Sequence, residues 1–209
     1  MNTPLPSTPV VRPPDTPGVW LVNDRRYFEN AHTLLDELVS VVEEVNRQWP
    51  KPLSESVKEH ETTAAHWRLA RKRDLLSDSV KVFAAMSAEA FLNFYGVLRL
   101  GPSNFDKKIE RLGPVDKLKK LFKLCDGIAL KDDDALVQVL DRIAKRRNNL
   151  VHPQTEEFQE LPPAEARGGD KIPEAAKEAV ADMNLFFQEF GKQRPDVAHH
   201  LPKPYAADA

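Results

Sequence analysis

The sequence predicts an all-α protein, a helical bundle with an added helical hairpin at its N-terminal end. Over most of the chain, apolar residues recur at steps of three and four, the period of an amphipathic helix. No stretch shows the period-two alternation, flanked by hairpin turns, that is typical of β-strands. With 209 residues, of which 41% are hydrophobic and 30% charged, the chain has the size and balance of one globular domain with terminal extensions.

Two regions precede the main domain in this prediction. Residues 1–20 are rich in Pro, Thr and Ser, and we expect a flexible arm there because proline lacks a backbone N–H donor. Residues 21–74 are predicted to form the helical hairpin. Its first helix begins near Asp24 and ends before Pro50, and its second helix, sparsely apolar, begins near Ser54.

Residues 75–191 are predicted to form the main helical domain. The first helix of this domain, residues 75–100, is apolar on nearly every side, which indicates a central helix surrounded by others. Residues 104–125 are expected to form two short helices that are divided at Gly113, which Pro114 follows.

Two longer helices are expected to complete the domain. The first ends near His152, since Pro153 disfavours helical geometry in the residue before it. The second begins around Pro173 and ends before Gly191, because proline favours the first turn of a helix and glycine the position after its end. Residues 192–209 are predicted to be a flexible tail.

Net charge, cysteine content and the lengths of apolar stretches argue against several classes of protein. The formal net charge of -2 argues against a protein that holds nucleic acid through bulk positive charge, although a local basic patch is compatible with it. Cys125 is the only cysteine, so the chain forms no intrachain disulfide and offers no thiolate metal site. We find no signal-like or membrane-spanning apolar stretch, and we expect a cytoplasmic protein without membrane, metal or cofactor.

A charged residue occupies the next position of an apolar stripe, near the end of the helix that precedes Pro153. One helical step beyond the stripe lies Arg147, whose guanidinium carries a permanent charge. Asn148 and His152 are four residues apart and share a face, so the amide could orient the imidazole. Capping of the helix by positive charge is the alternative, and it would explain several of these residues. The stripe itself consists of Leu136, Leu140 and Ile143.

These side chains suit metal-free cleavage of RNA. An imidazole with a pKa near neutrality can take the proton of a ribose 2′-hydroxyl or protonate the leaving 5′-oxygen. A guanidinium binds phosphate in bidentate fashion and stabilises the charge that grows on phosphorus. One imidazole does not easily perform both proton transfers, so a second copy in a dimer, or a second acid, would help.

The segment 147–152, Arg-Asn-Asn-Leu-Val-His, resembles the R-x4-H motif of the HEPN (higher eukaryotes and prokaryotes nucleotide-binding) domains, with the favoured Asn directly after Arg. Its place at the end of a helix, before a proline, a loop and a last amphipathic helix, is also similar to that family, as is segment 87–95. The resemblance covers about residues 75–190. It implies a helical bundle that dimerises to form one composite cleft, and metal-independent RNA cleavage in toxin, antiphage-defence or RNA-processing settings.

Carried over by position, the resemblance implies that Arg147 and His152 are catalytic and that Asn148 supports them. In one branch of the family, a Tyr two residues after the His is modified by a partner nucleotidyltransferase. Gln154 occupies that position here, which argues against this mode of regulation. The leading hypothesis is thus a homodimeric endoribonuclease acting on RNA, with a possible neutralising or defence-system partner. The alternative is a non-catalytic helical interaction or nucleotide-binding module.

Two polar residues stand on the otherwise apolar central helix. Glu89 and Asn93 are four residues apart and therefore on one face, where unpaired polar groups would be costly. Members of the family often place a polar residue of this helix beside the motif, so Glu89 is predicted to pair with Arg147. Structural hydrogen bonds within the bundle are an equally good explanation of both residues.

A run of lysines precedes Cys125. It alternates with Leu118, Leu121 and Phe122, so we expect its members to lie on the solvated side of a helix rather than to form a phosphate-binding patch. The run consists of Lys117, Lys119, Lys120 and Lys123.

Overall fold

A computed structural model describes residues 10–11, 20–21, 23–48, 60–105, 107–151 and 172–203 of the chain. In chain order the elements are β1 (Val10–Val11), β2 (Trp20–Leu21), α1 (Asp24–Gln48), α2 (His60–Leu100), α3 (Lys107–Glu110), α4 (Pro114–Asp126), α5 (Ala135–Val151), α6 (Ile172–Gln193) and a 3-10 helix (Pro195–His200).

The protein is an all-α bundle, which confirms the predicted fold class. Helix α2 is the centre of the bundle: α1, α4, α5 and α6 all pack against it. Helix α6 also contacts α1 and α5, while α4 contacts α5. The bundle encloses one apolar core, to which each of these helices contributes. The predicted flexible arm falls largely outside the described residues, except that Val10 and Val11 pair antiparallel with Leu21 and Trp20, strands that the sequence did not predict.

Helix α2 is one continuous helix of 41 residues, whereas the sequence predicted that one helix ends before residue 75 and another begins there. The division was wrong because the change from a polar to an apolar surface was taken for a helix end. No proline interrupts residues 60–100 and the single glycine is Gly96, so the backbone has no reason to break at the transition. A Cβ atom at Gly96 would lie 2.4 Å from the ring of Phe105, so glycine here permits a close approach.

Aromatic side chains of α2 and α6 form the centre of the core. The ring of Phe91 packs edge-to-face against Phe187 and Phe190, with centroids 5.5 and 4.9 Å apart. Edge-to-face geometry places the positive rim of one ring on the negative face of the other and adds stabilisation beyond the buried area. These contacts fix α6 against α2 and thereby the position of α5, which packs on both.

Helix α6 and the residues after it differ from the prediction. The helix continues through Gly191 to Gln193 instead of ending before this glycine. A Cβ at Gly191 would lie 2.9 Å from Leu201 Cδ1, so the glycine admits a neighbouring segment rather than ending the helix. That segment was predicted as flexible tail, yet Arg194 and Val197 in it are buried. Residues 204–209 of the predicted tail lie outside the described residues.

Candidate functional site

Arg147 lies in the last turns of α5, one helical step beyond the buried Ile143. The helix is built on a stripe of buried apolar residues, so this register turns the Arg147 side chain towards α2 rather than towards bulk solvent. Its Nη2 atom lies 3.6 Å from Glu89 Oε2, and the arginine side chain is 27% exposed. The contact is the Glu89–Arg147 pairing that the sequence analysis expected.

Glu89 lies between two cations. Its other oxygen, Oε1, is 3.9 Å from Lys117 Nζ on α4. Lys117 Nζ also donates a hydrogen bond of 2.7 Å to Asn93 Oδ1. Asn93 thus has a partner within the bundle, in agreement with the structural explanation of this residue. Glu89 takes part in both arrangements, since it contacts the buried lysine and the arginine of the motif.

Lys117 was placed wrongly by the sequence analysis. It is fully buried, with 0% of its surface exposed, instead of lying on the solvated side of α4 with the other lysines. A signal for this was present: Lys117 directly precedes Leu118 and lies four residues before Leu121, so it shares their face of the helix. Burial lowers the pKa of Lys117, and the charges of Glu89 and Glu110 oppose this effect.

The cluster of Lys117, Glu89, Asn93 and Arg147 brings together an amine, a guanidinium, a carboxyl group and an amide. Within the described part of the chain, the guanidinium of Arg147 makes its ion pair with Glu89 at 3.6 Å and no hydrogen bond. A guanidinium has five N–H donors in a fixed fork, which fits phosphate or carboxylate. Most donors of Arg147 therefore have no acceptor among the described side chains and could bind an oxyanion.

The neighbouring basic residues of α5 have different partners. Lys145 Nζ lies 2.7 Å from Asp141 Oδ2 on the same helix, and its side chain is 72% exposed. Arg146 binds two carboxylates of α6, Glu178 at 3.0 Å and Asp182. These partners are side-chain carboxylates, so the contacts of Lys145, Arg146 and Arg147 among the described residues are ion pairs and not hydrogen bonds to helix carbonyls.

Arg146 belongs to a structural ion pair between α5 and α6. Arg142 Nη2 lies 2.7 Å from Asp182 Oδ1, and Arg146 contacts the other oxygen of Asp182. Burial disfavours the charged form of Asp182, yet its hydrogen bonds with Arg142 and Arg146 outweigh this, so that its pKa lies below the usual value. This clamp holds the end of α5 and therefore the backbone that carries Arg147.

The structure gives less information on Asn148 and His152, the two other residues of the motif with a predicted role. Asn148 is exposed on α5. His152 lies outside the described residues, so its predicted alignment with Asn148 and Arg147 stays a prediction. Helix α5 ends at Val151, as expected from Pro153.

The described residues contain no group of three or more His, Cys, Asp or Glu side chains that could hold a metal ion. No helix in this part of the chain combines the length and hydrophobicity needed to cross a bilayer.

No protein-family model, no curated protein and no solved structure matches the chain. Family membership is therefore a proposal that depends on the motif and on the arrangement of Arg147 and Glu89.

Proposed function

We propose that the protein is a metal-independent endoribonuclease of HEPN type, which cleaves RNA by attack of a ribose 2′-hydroxyl on the adjacent phosphate. The observation that carries the proposal is the state of Arg147. Its guanidinium is partly buried, held near Glu89 at 3.6 Å and otherwise without a side-chain partner among the described residues. It stands five residues before a histidine, the other group that this chemistry needs.

In the proposed reaction, Arg147 binds the non-bridging oxygens of the scissile phosphate and stabilises their growing charge. His152 takes the proton of the 2′-hydroxyl as this oxygen attacks phosphorus. The bond from phosphorus to the 5′-oxygen breaks, and the 5′-oxygen receives a proton from an acid. The products are a 2′,3′-cyclic phosphate and a 5′-hydroxyl end. Asn148 supports His152 by orienting the imidazole.

The proposal includes a homodimer. One imidazole cannot conveniently act as base and acid in the same step, whereas His152 from a second copy of the chain would supply the acid. We propose a cytoplasmic toxin or antiphage-defence setting, in which a neutralising partner protein would limit the activity.

The test is cleavage of labelled single-stranded RNA by the purified protein in EDTA. We expect cleavage by the wild type and its loss in Arg147→Ala and in His152→Ala. Lys145→Ala is the matched control, because Lys145 is a basic and largely exposed residue of the same helix turn. The proposal fails if the wild type cleaves none of a diverse set of RNAs, or if both site variants cleave as fast as Lys145→Ala.

A non-catalytic interaction module is the second candidate function. The observation in its favour is that Glu89 already neutralises part of the charge of Arg147 and Lys117 inside the bundle. An inert protein that forms a stable complex with itself or with a partner, and that loses this complex in Arg147→Ala, would support the module.

A further inference from the structure

Lys117 is a buried cation that the proposed reaction does not yet use. Its side chain is 1% exposed, so its ammonium group cannot touch an RNA in this arrangement. Burying a charge is costly, and an apolar residue of similar volume often gives equal or greater stability. Fold stability therefore does not explain why a lysine stands on the core face of α4.

The contacts of Lys117 indicate a different role. Asn93 accepts a hydrogen bond of 2.7 Å from Nζ and fixes the position of the ammonium. From this position the ammonium attracts Glu89 Oε1, at 3.9 Å, while the other oxygen of Glu89 lies 3.6 Å from Arg147. The carboxylate is thus shared between two cations instead of belonging to one.

Sharing the carboxylate changes what Arg147 can bind. A carboxylate that faces a guanidinium alone tends to form two parallel hydrogen bonds, which would occupy the same N–H fork that phosphate needs. Because Lys117 attracts one of its oxygens, Glu89 orients Arg147 through a single long contact, and most of the fork meets no acceptor among the described side chains.

We propose that Lys117 is a positioning residue, which holds Glu89 back from Arg147 and so keeps the guanidinium available for a phosphate group of the substrate. The catalytic consequence rests on the proposed ribonuclease function, but the effect on Arg147 does not. Removing the charge of Lys117 lets Glu89 close on Arg147 and compete with phosphate. Removing the charge of Glu89 as well abolishes that competition.

The experiment measures binding of a fully 2′-O-methylated RNA oligonucleotide, which cannot be cleaved, by fluorescence anisotropy. We expect Lys117→Met to weaken binding about 10- to 100-fold, the effect of losing one hydrogen bond to a charged group. Adding Glu89→Gln to Lys117→Met should restore most of the affinity. Lys120→Met is the matched control, since Lys120 is an exposed lysine one turn further along α4, and its affinity should equal that of the wild type.

Recovery of RNA affinity in the double variant distinguishes a positioning role of Lys117 from a merely structural one. If the loss of Lys117 only damaged the bundle, the second substitution, Glu89→Gln, would not recover affinity. Circular dichroism shows whether each variant folds. If Lys117→Met does not fold, Lys117→Gln replaces it, since this variant keeps an N–H donor for Asn93 while removing the charge. Wild-type affinity in a folded uncharged variant, or no recovery in the double variant, would overturn the proposal.

A second readout separates the failure of this inference from the failure of the ribonuclease proposal. The NMR signal of the Arg147 guanidinium should shift in Lys117→Met or Lys117→Gln and remain in place in Lys120→Met, whether or not RNA binds. If the wild type neither binds nor cleaves RNA but the signal shifts as expected, the ribonuclease proposal fails and the positioning role stands. If RNA is cleaved but the signal does not move, the positioning role fails alone.

Discussion

Two arginines lie beside the same two turns of α2 and have opposite surroundings. Arg194 donates to both oxygens of Asp196, at 3.0 and 2.7 Å, and to Tyr95 at 2.9 Å, and it also contacts the buried Asp126. Arg147 has a single ion pair at 3.6 Å among the described residues. Four of the five N–H donors of the first guanidinium face acceptors, whereas most donors of the second have no acceptor among the described side chains. We therefore attribute a stabilising role to Arg194, and the role proposed for Arg147 is binding.

The largest expected effect is a loss of stability in Arg194→Ala. This change removes the buried cation from the carboxylate of Asp126, which is 4% exposed and keeps only the partly exposed Arg99 and the hydroxyl of Tyr95 as partners among the described residues. Breaking a buried pair by removing one partner costs roughly 3–5 kcal/mol. We expect the free energy of unfolding, measured by urea denaturation, to fall by this amount. Lys192→Ala, the exposed cation two residues earlier, is the control; equal losses in the two variants would remove the distinction between the arginines.

Arg147→Ala should show the reverse pattern. We expect about 10²- to 10³-fold slower RNA cleavage, the usual effect of removing one donor that stabilises an oxyanion. The free energy of unfolding should change by less than about 1 kcal/mol, because the ion pair is long and partly exposed. A large loss of stability without a loss of cleavage would place Arg147 in the same class as Arg194.

The carboxylate of Asp24 is buried without an ion-paired arginine among the described residues, and it extends the comparison of Arg194 with Arg147. Asp24 is 1% exposed, and among the described residues neither of its carboxylate oxygens has a side-chain hydrogen-bond partner. Burial raises the pKa of Asp24 to about 6, although nearby backbone groups and Arg25 oppose the shift. Between about pH 4 and pH 6 the folded state therefore holds a proton that the unfolded state has lost. The stability provided by this proton is lost as the pH rises through that window.

Asp24→Asn carries no charge at any pH and should remove this dependence. Relative to the wild type, we expect the variant to gain about 1–3 kcal/mol between pH 3.5 and pH 7, since one pKa unit corresponds to about 1.4 kcal/mol. The measurement is the free energy of unfolding of both proteins at the two pH values. Parallel curves would show that Asp24 is not titrating in the folded state.

The smallest expected effect concerns Arg99, which joins the cluster around Arg194 from its exposed side. It contacts Asp126 at 3.0 Å and Asp196 at 3.2 Å, and its side chain is 31% exposed. Both carboxylates retain Arg194 when Arg99 is removed. We expect Arg99→Ala to lower the free energy of unfolding by about 1 kcal/mol or less in thermal denaturation. A loss as large as that of Arg194→Ala would mean that the two arginines act as a unit.

Part of the arrangement around Arg147 could be predicted from the sequence. Local periodicity placed Arg147 beyond an apolar stripe and Glu89 on an apolar helix, where polar groups need partners. Their pairing with each other was expected from the resemblance to the HEPN domains, and the structure shows it at 3.6 Å. Lys117 was missed because it was treated as one member of a lysine run, although its own register placed it on the core face. Treating the four lysines as one group concealed that Lys117 is both charged in type and placed on the core face.

The cluster around Arg194 could not be predicted in the same way. Tyr95 and Arg194 are 99 residues apart, and neither residue carries a local signal for the other. Gly191 illustrates a related limit, since its small size serves the contact with Leu201 and not the end of a helix. Local patterns give helices and their faces, whereas contacts between distant segments depend on how the helices are packed.

The most direct test of the ribonuclease account is the chemical nature of the RNA ends that the protein produces in EDTA, determined by mass spectrometry. The account predicts 2′,3′-cyclic phosphate and 5′-hydroxyl ends from the wild type, and about 10²- to 10³-fold slower formation of them by Arg147→Ala. Equal amounts of the same products from both proteins, or products with 5′-phosphate ends, would contradict the proposed roles of Arg147 and of the 2′-hydroxyl.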